Sequence, residues 1–244
     1  MSDSTTGAGA RDVFPTTRWT VIREARDPAS SHYRESLEVL ARTYWRPVFA
    51  YLRRKWGKAR DEALDLTQGF FAALCEKDFL RHVSPEHGRF RSYVMASLDN
   101  YVRLDFRSQS ALKRGGGVAR ISLDVGEGYE PESGHSPEET FLREWARSVL
   151  GEAVRELEAE CRGDGRENAF RIFSARDLEL GSGPPSYDAL AERFGTSVTE
   201  VTNVLYRLRK RLREMVLNRV RDTVTSDREA EDEMRELFGR RLQE

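Results

Sequence analysis

Apolar residues recur along this chain at steps of three, four and seven, and almost nowhere at steps of two. In SLEVLARTYWRPVFAYLRRKW, Leu37, Leu40, Ala41, Tyr44, Val48, Tyr51 and Leu52 fall on one stripe of a helix. Pro47 lies within that run and predicts a kink or a restart. DEALDLTQGFFAALCEKDFL gives a second stripe, Leu64, Phe71, Leu74 and Cys75, with acids gathered at its start, where the helix dipole favours them. SYVMASLDNYVRLDF gives a third, which RGGG at 114–117 stops. The expected fold class is all-α.

The character of the chain changes between Asp124 and Glu144. That stretch holds seven acids against one arginine, with Gly, Pro and Ser scattered through it, and reads as a flexible acidic linker. With 244 residues, 39% hydrophobic and 33% charged, the chain suits small solvated helical domains better than one thick core. The expected organisation is a disordered N-terminus over 1–13, a helical domain over 14–118, a linker over 119–139, a second helical domain over 140–222, and an acidic amphipathic tail over 223–244. The tail carries eight acids and four arginines from Asp222 on, around Met234, Leu237, Phe238 and Leu242.

SYDALAERFGTSVTEVTNVLYRLRKRLRE, residues 186–214, has the pattern of two helices joined by a tight turn. Ser186 can cap the first helix, with Asp188 near its positive end. Ala191 allows close approach, Gly195 takes the turn, and Thr196 or Ser197 caps the second helix. Val201, Leu205, Leu208 and Leu212 form its buried stripe, and Thr199, Glu200, Thr202, Asn203, Arg207, Lys210 and Arg211 form the other face. Thr199–Arg221 carries seven bases and two acids in a chain whose net charge is -1, a local excess that suits phosphate. The bland alternative is a helical hairpin with a solvated basic face.

A second basic stretch, RLDFRSQSALKRGGGVAR, has five bases to one acid and lies near Tyr93, Tyr101 and Phe106. Bases interleaved with aromatics suit an unstacked strand, although aromatics at this spacing are more often core. Catalytic signatures are missing. His32, His82, His87 and His135 show no metal-ligand spacing, RGGG lacks the ending and the preceding strand of a phosphate loop, and no nucleophile elbow occurs. Two cysteines, Cys75 and Cys161, argue against a disulfide framework. No apolar run is long enough to span a membrane, and the first residues lack a signal-peptide pattern, so a cytoplasmic protein is expected. No enzyme activity and no cofactor are expected.

Taken together these stretches resemble an extracytoplasmic-function (ECF) sigma factor of the sigma-70 family, with regions 2 and 4 only. LARTYWRPVFAYLRRKW resembles the first helix of region 2, DEALDLTQGFF its signature, FRSYVMASLDNYVRLDFRSQSALKRGGG the promoter-melting and -10 part, and residues 186–214 the -35-reading hairpin of region 4. FPTTRWTVI, HGRFRSY, KRGGG and DTVTSDREAEDEMRELF look like a subgroup common in planctomycetes. The resemblance implies core RNA polymerase as partner, met at its clamp and flap regions. Asp61, Glu62, Asp65, Gln68 and Phe71 would dock there, and Asp61, Asp65 and Gln68 share a helix face. It also implies promoter DNA, duplex at -35 and single-stranded at -10. Thr199, Glu200, Thr202, Asn203, Arg207, Lys210 and Arg211 would meet the first, and Asn100, Arg103, Arg107, Lys113 and Arg114 the second. Family members usually carry a basic residue early in the recognition helix, where this chain has Thr199, Glu200, Thr202, Asn203 and Val204. An anti-sigma factor or a kinase is left open as a regulator. A stand-alone helix-turn-helix regulator is the rival reading.

Overall fold

The computed structural model describes residues 19–76, 80, 83–84, 88–109, 129–179, 183–224 and 226–239. Its main elements are all helical: α1 (Thr20–Glu24), α2 (Tyr33–Lys55), α3 (Arg60–Glu76), α4 (Phe90–Gln109), α5 (Pro137–Gly163), α6 (Glu167–Phe173) with a π-helical turn Ser174–Leu178, α7 (Tyr187–Phe194), α8 (Val198–Arg221) and α9 (Asp227–Phe238). The all-α expectation therefore holds for the described residues. No described helix is long and apolar enough to cross a membrane.

The α2 stripe is buried from Leu40 to Leu52, with Leu37 packed at its margin. The helix runs on through Pro47, whose ring is buried, rather than restarting there. In α3 the buried face is Ala63, Leu66, Thr67, Phe70, Phe71 and Leu74, while Leu64 and Cys75 are only half-buried. The predicted stripe was thus rotated by about one residue. Thr67 is pinned inside by donating its hydroxyl to the Ala63 carbonyl at 2.6 Å. Gly69 sits where Tyr101 of α4 crosses; a Cβ there would collide with the phenol oxygen, so glycine sets the approach of α3 and α4.

The segment predicted to be a free linker is structured where it is described. Ser136 accepts from the Glu139 N–H at 3.1 Å, and the Glu139 carboxylate accepts from the Ser136 N–H at 2.8 Å, a reciprocal capping box with Pro137 at the first helical position. This starts α5 inside the expected linker. Before it, the Tyr129 ring lies against Phe49 and beneath Arg46, 4.0 Å from guanidinium carbon to ring centroid. Arg53 pairs with Glu130 at 2.5 Å, and Arg54 donates to the His135 carbonyl at 2.9 Å. Glu130 and Glu132 stay exposed but pair with arginines of α2 and α5, Glu138 lies 3.7 Å from Lys55, and Glu139 closes the cap. The Glu132 carboxyl is held below the usual carboxylate range chiefly by its hydrogen bond from Arg147.

Nor do two separate cores appear among the described residues. α5 packs along α2 through its first half and against α8 through its second, and one continuous apolar cluster runs from Trp19 to Met234. The acidic tail forms α9, capped by Ser226, and packs on α8 and α5 through Ala230 and Met234.

At the joint between α8 and α9, burial pushes the Asp222 carboxyl up to about 6, with Arg219 acting against it. An anion at a helix C-terminus is disfavoured as well. Because the folded pKa exceeds the unfolded one, the folded state binds this proton more tightly. The stability it contributes is present below about pH 4 and is lost as pH rises through about 6. Asp222→Asn is therefore expected to stabilise the protein by about 1–3 kcal/mol at pH 7 and to flatten the pH profile between about 4 and 6. Paired thermal melts across that range check this, and equal melting temperatures at pH 7 would contradict it.

Candidate nucleic-acid interface

The helix-turn-helix forms as the residues at its joints require. Ser186 accepts from the Ala189 N–H at 3.1 Å to start α7, and Ser197 accepts from the Glu200 N–H at 3.1 Å to start α8. Between them Gly195 takes the left-handed conformation, φ 62° and ψ 39°, while Thr196 N–H closes onto the Ala191 carbonyl at 2.9 Å. Of the two residues offered as caps, Ser197 does the capping and Thr196 makes the turn. Val201, Leu205, Leu208 and Leu212 are buried as expected, joined by Val204, Met215, Val216 and Val220. Behind them lie Ile172, Phe173 and Leu190 from α6 and α7.

Thr199, Glu200, Thr202, Asn203, Arg207 and Lys210 are all exposed, and Arg211 is half-buried. Several are already engaged. The Thr202 hydroxyl donates to the Val198 carbonyl at 2.8 Å, and Arg207 folds back along the helix to Glu200 at 3.1 Å and to the Asn203 carbonyl at 3.3 Å. The Asn203 side-chain amide makes no hydrogen bond among the described residues and lies on this exposed face beside Tyr206, which is 62% exposed. Sequence reasoning missed Tyr206. The signal was an aromatic placed on the polar side of a regular stripe.

The basic excess of α8 is smaller in space than in sequence. Arg209 makes a bidentate pair with Asp177 (2.8 Å for both bonds), Arg211 reaches Glu160 at 2.7 Å, Arg219 pairs with Glu156, and Arg221 lies 3.3 Å from Asp227. Asp177 and Glu160 hold the guanidinium groups of Arg209 and Arg211 above their ordinary range by accepting these bonds. Lys210 and Arg213 have no acidic partner among the described residues. Among the described residues the unpaired positive charge of α8 therefore rests on Lys210 and Arg213, with Arg207 set against Glu200.

On α4, Asn100 and Arg103 are exposed and 3.4 Å apart, with Leu104 61% exposed beside them. The Arg107 side chain, Lys113 and Arg114 lie outside the described residues, as do His82 and His87. Tyr93 and Tyr101 are half-buried against Phe90 and Phe70, which leaves Phe106, 46% exposed, as the accessible ring of the three. It tilts against Trp56 at 5.9 Å and lies under the Lys58 ammonium at 4.2 Å. Asp99 is taken up by Lys55 (2.7 Å) and by the Trp56 indole (3.2 Å), which keeps an acid off this basic and aromatic surface.

On α3, Asp61 and Asp65 are exposed and have no cationic partner among the described residues, whereas Glu62 pairs with Lys58. Gln68 is half-buried on the same face. Phe71 requires a correction. It is 2% exposed and stacked on Trp45 at 5.3 Å, so it belongs to the core and is not a docking residue. The aromatic pair that ends DLTQGFF is buried because both rings face α2 and α4.

Among the described residues no group of three or more His, Cys, Asp or Glu is placed to hold a metal ion. Comparison with protein-family models, with curated proteins and with solved structures gives no match to this chain.

Proposed function

We propose that this protein is a sigma factor: it binds core RNA polymerase and directs it to promoter DNA, reading a duplex element with α8 and holding an opened strand on α4. The observation that carries the reading is the division of exposed charge. An acidic pair without a cationic partner among the described residues, Asp61 and Asp65, stands on α3, while the exposed helix-turn-helix face and the Arg103–Phe106 surface stand elsewhere on the same chain. Acid suits a basic protein partner; amide, ammonium and exposed rings suit nucleic acid. The polymerase would perform the chemistry, and this chain would supply address and strand opening. The exposed helix-turn-helix also fits a stand-alone regulator, but that reading leaves the α3 acids without a role.

Duplex contacts should divide by chemistry. Asn203→Ala is expected to relax sequence preference at one position at a cost of about 1–3 kcal/mol, whereas Lys210→Ala weakens all duplexes alike and lowers the salt slope by about one. Binding titrations of the polymerase complex on matched and mismatched promoters, at several salt concentrations, separate the two. Equal losses on matched and mismatched sites for Asn203→Ala would count against base readout by α8. The reading itself is tested by co-elution with purified core enzyme and by duplex binding of the protein alone. Co-elution with weak solitary binding supports it; tight, specific solitary binding without co-elution supports the stand-alone regulator.

A further inference from the structure

Three donors at the end of α2 converge on one carboxylate of α4. Asp99, whose side chain is only 14% exposed, accepts from the Lys55 ammonium at 2.7 Å, the Trp56 indole at 3.2 Å and the Tyr51 hydroxyl at 3.4 Å. Lys55 also donates to the Tyr51 oxygen at 2.6 Å, which ties the cluster within itself. Trp56 closes the C-terminal end of α2, and Gly57 after it takes the left-handed conformation, φ 58°, that turns the chain away. The indole is half-buried, and its bond to Asp99 sets the plane in which the rest of it faces solvent.

On α4, Asp99, Arg103 and Phe106 recur at steps of four and three and so share a face. The Phe106 and Trp56 rings stand 5.9 Å apart at 43°, an open V rather than a closed stack. The Lys58 ammonium lies over the Phe106 ring at 4.2 Å, and Lys58 is itself buried and paired with Glu62, which fixes it in place. Phe106 nevertheless stays 46% exposed, a large ring left in water on the same face as a guanidinium.

A carboxylate is costly on a surface that meets a phosphate backbone, because it repels the strand. Pairing with Lys55 is enough to cancel that charge. The bond from the indole is not needed for it, and does something else: it holds Trp56 at a set angle to Phe106. Two rings at a fixed angle offer an incoming base both a face and an edge, the two arrangements that aromatic groups favour. Stacking uses the π-face that every base has, so it tolerates any sequence. An apolar peptide on this surface would strip water from Arg103 without meeting its charge, whereas a nucleotide brings a phosphate for Arg103 together with a ring for Phe106.

We infer that Phe106, edged by Trp56, is a stacking platform for one unpaired base of any identity, and that Asp99 is its positioning residue, acting through the Trp56 indole. The inference rests on the proposed function for the source of the strand and deepens it: at this point α4 grips the opened strand without reading it.

The test titrates the full chain, alone and with core polymerase, with labelled single-stranded deoxyoligonucleotides that differ only in one central base. Anisotropy of the label reports binding. In the free chain tryptophan fluorescence adds a local signal, since Trp19, Trp45 and Trp145 are buried and Trp56 is the indole a strand can reach. Phe106→Ala is expected to weaken strand binding by about 5- to 150-fold, alike for all four bases, and Phe106→Trp to retain most of it. Asp99→Ala is expected to weaken it by about 2- to 12-fold, the worth of one hydrogen bond, although the loss of a negative charge alone would tighten it. In that variant Trp56 should also become more open to quenching by acrylamide. Should Asp99→Ala melt too low to titrate, Trp56→Phe, which keeps a ring and loses the indole N–H, is expected to show the same loss. Full-strength binding by Phe106→Ala, or a loss confined to one base, overturns the platform. Unchanged or tighter binding by the folded Asp99→Ala or Trp56→Phe variant overturns the positioning role. Absence of strand binding by the unaltered chain, both free and with polymerase, overturns both. Failure to bind polymerase removes the proposed function instead, and strand binding by the free chain then still decides the platform.

Discussion

Phe173→Ala is expected to lower stability by about 3–5 kcal/mol, the range for removing a fully buried aromatic ring. Phe173 is 1% exposed, at the end of α6, in the core against which α8 rests. Phe173 and the stripe Val201, Leu205 and Leu208 belong to one apolar core in which α6 packs on α8, so loss of the ring leaves a cavity in the core that supports the helix presenting Asn203 and Lys210. In a chain of this size each kcal/mol shifts the melting temperature by about 2–4 °C, so the variant should melt roughly 6–20 °C lower. Its duplex binding should fall with it, because the recognition face is held only as firmly as its backing. Tyr206→Ala, on the opposite and exposed face of α8, should change stability by no more than about 0.5 kcal/mol. Urea or thermal unfolding of both variants checks the contrast. A loss below about 1 kcal/mol for Phe173→Ala would show that α6 does not support α8.

Asp61→Arg with Asp65→Arg is expected to weaken binding to core RNA polymerase by about 30- to 1,000-fold, roughly 2–4 kcal/mol. Both side chains are exposed and have no cationic partner among the described residues, so reversing them breaks no internal pair. The fold should stay intact, with the melting temperature falling by a few degrees at most, because Asp61 stands in the first turn of α3, where the helix dipole favours an acid by about 0.3–1 kcal/mol. Phe71 is left alone because its ring is core, and its truncation would confuse instability with loss of docking. Association rates at low and high salt give a second readout, since steering by opposite charges weakens with ionic strength. Full-strength binding by the folded double variant would remove the α3 face from the account.

The helix-turn-helix was the most legible part of the chain. Ser186, Gly195 and Ser197 act locally, and a cap or a left-handed turn is dictated within four residues of sequence. The linker was misread for a related reason. SPEE at 136–139 is a capping-box pattern, but its acids were counted with the Gly-, Pro- and acid-rich stretch before it rather than as a helix start. The charge of α8 could not be judged from local sequence. Arg209, Arg211 and Arg219 are answered by Asp177, Glu160 and Glu156, 32 to 63 residues away, and such pairings exist only in the folded chain. The same holds for Glu233 and Arg91, separated by 142 positions: local sequence carries no sign that one acid of the tail is wholly buried. Phe71 illustrates a third limit: periodicity put it on a buried stripe, and the motif resemblance put it on the surface. The packing on Trp45 decides for the stripe.

The central claim is tested most directly by run-off transcription with purified bacterial core polymerase on a pool of genomic promoter fragments, with and without this protein. The account predicts discrete start sites that depend on its addition and that vanish with the Asp61→Arg, Asp65→Arg double variant. No initiation above core polymerase alone, together with tight binding of the isolated protein to duplex fragments, would contradict it and leave a stand-alone helix-turn-helix regulator in its place.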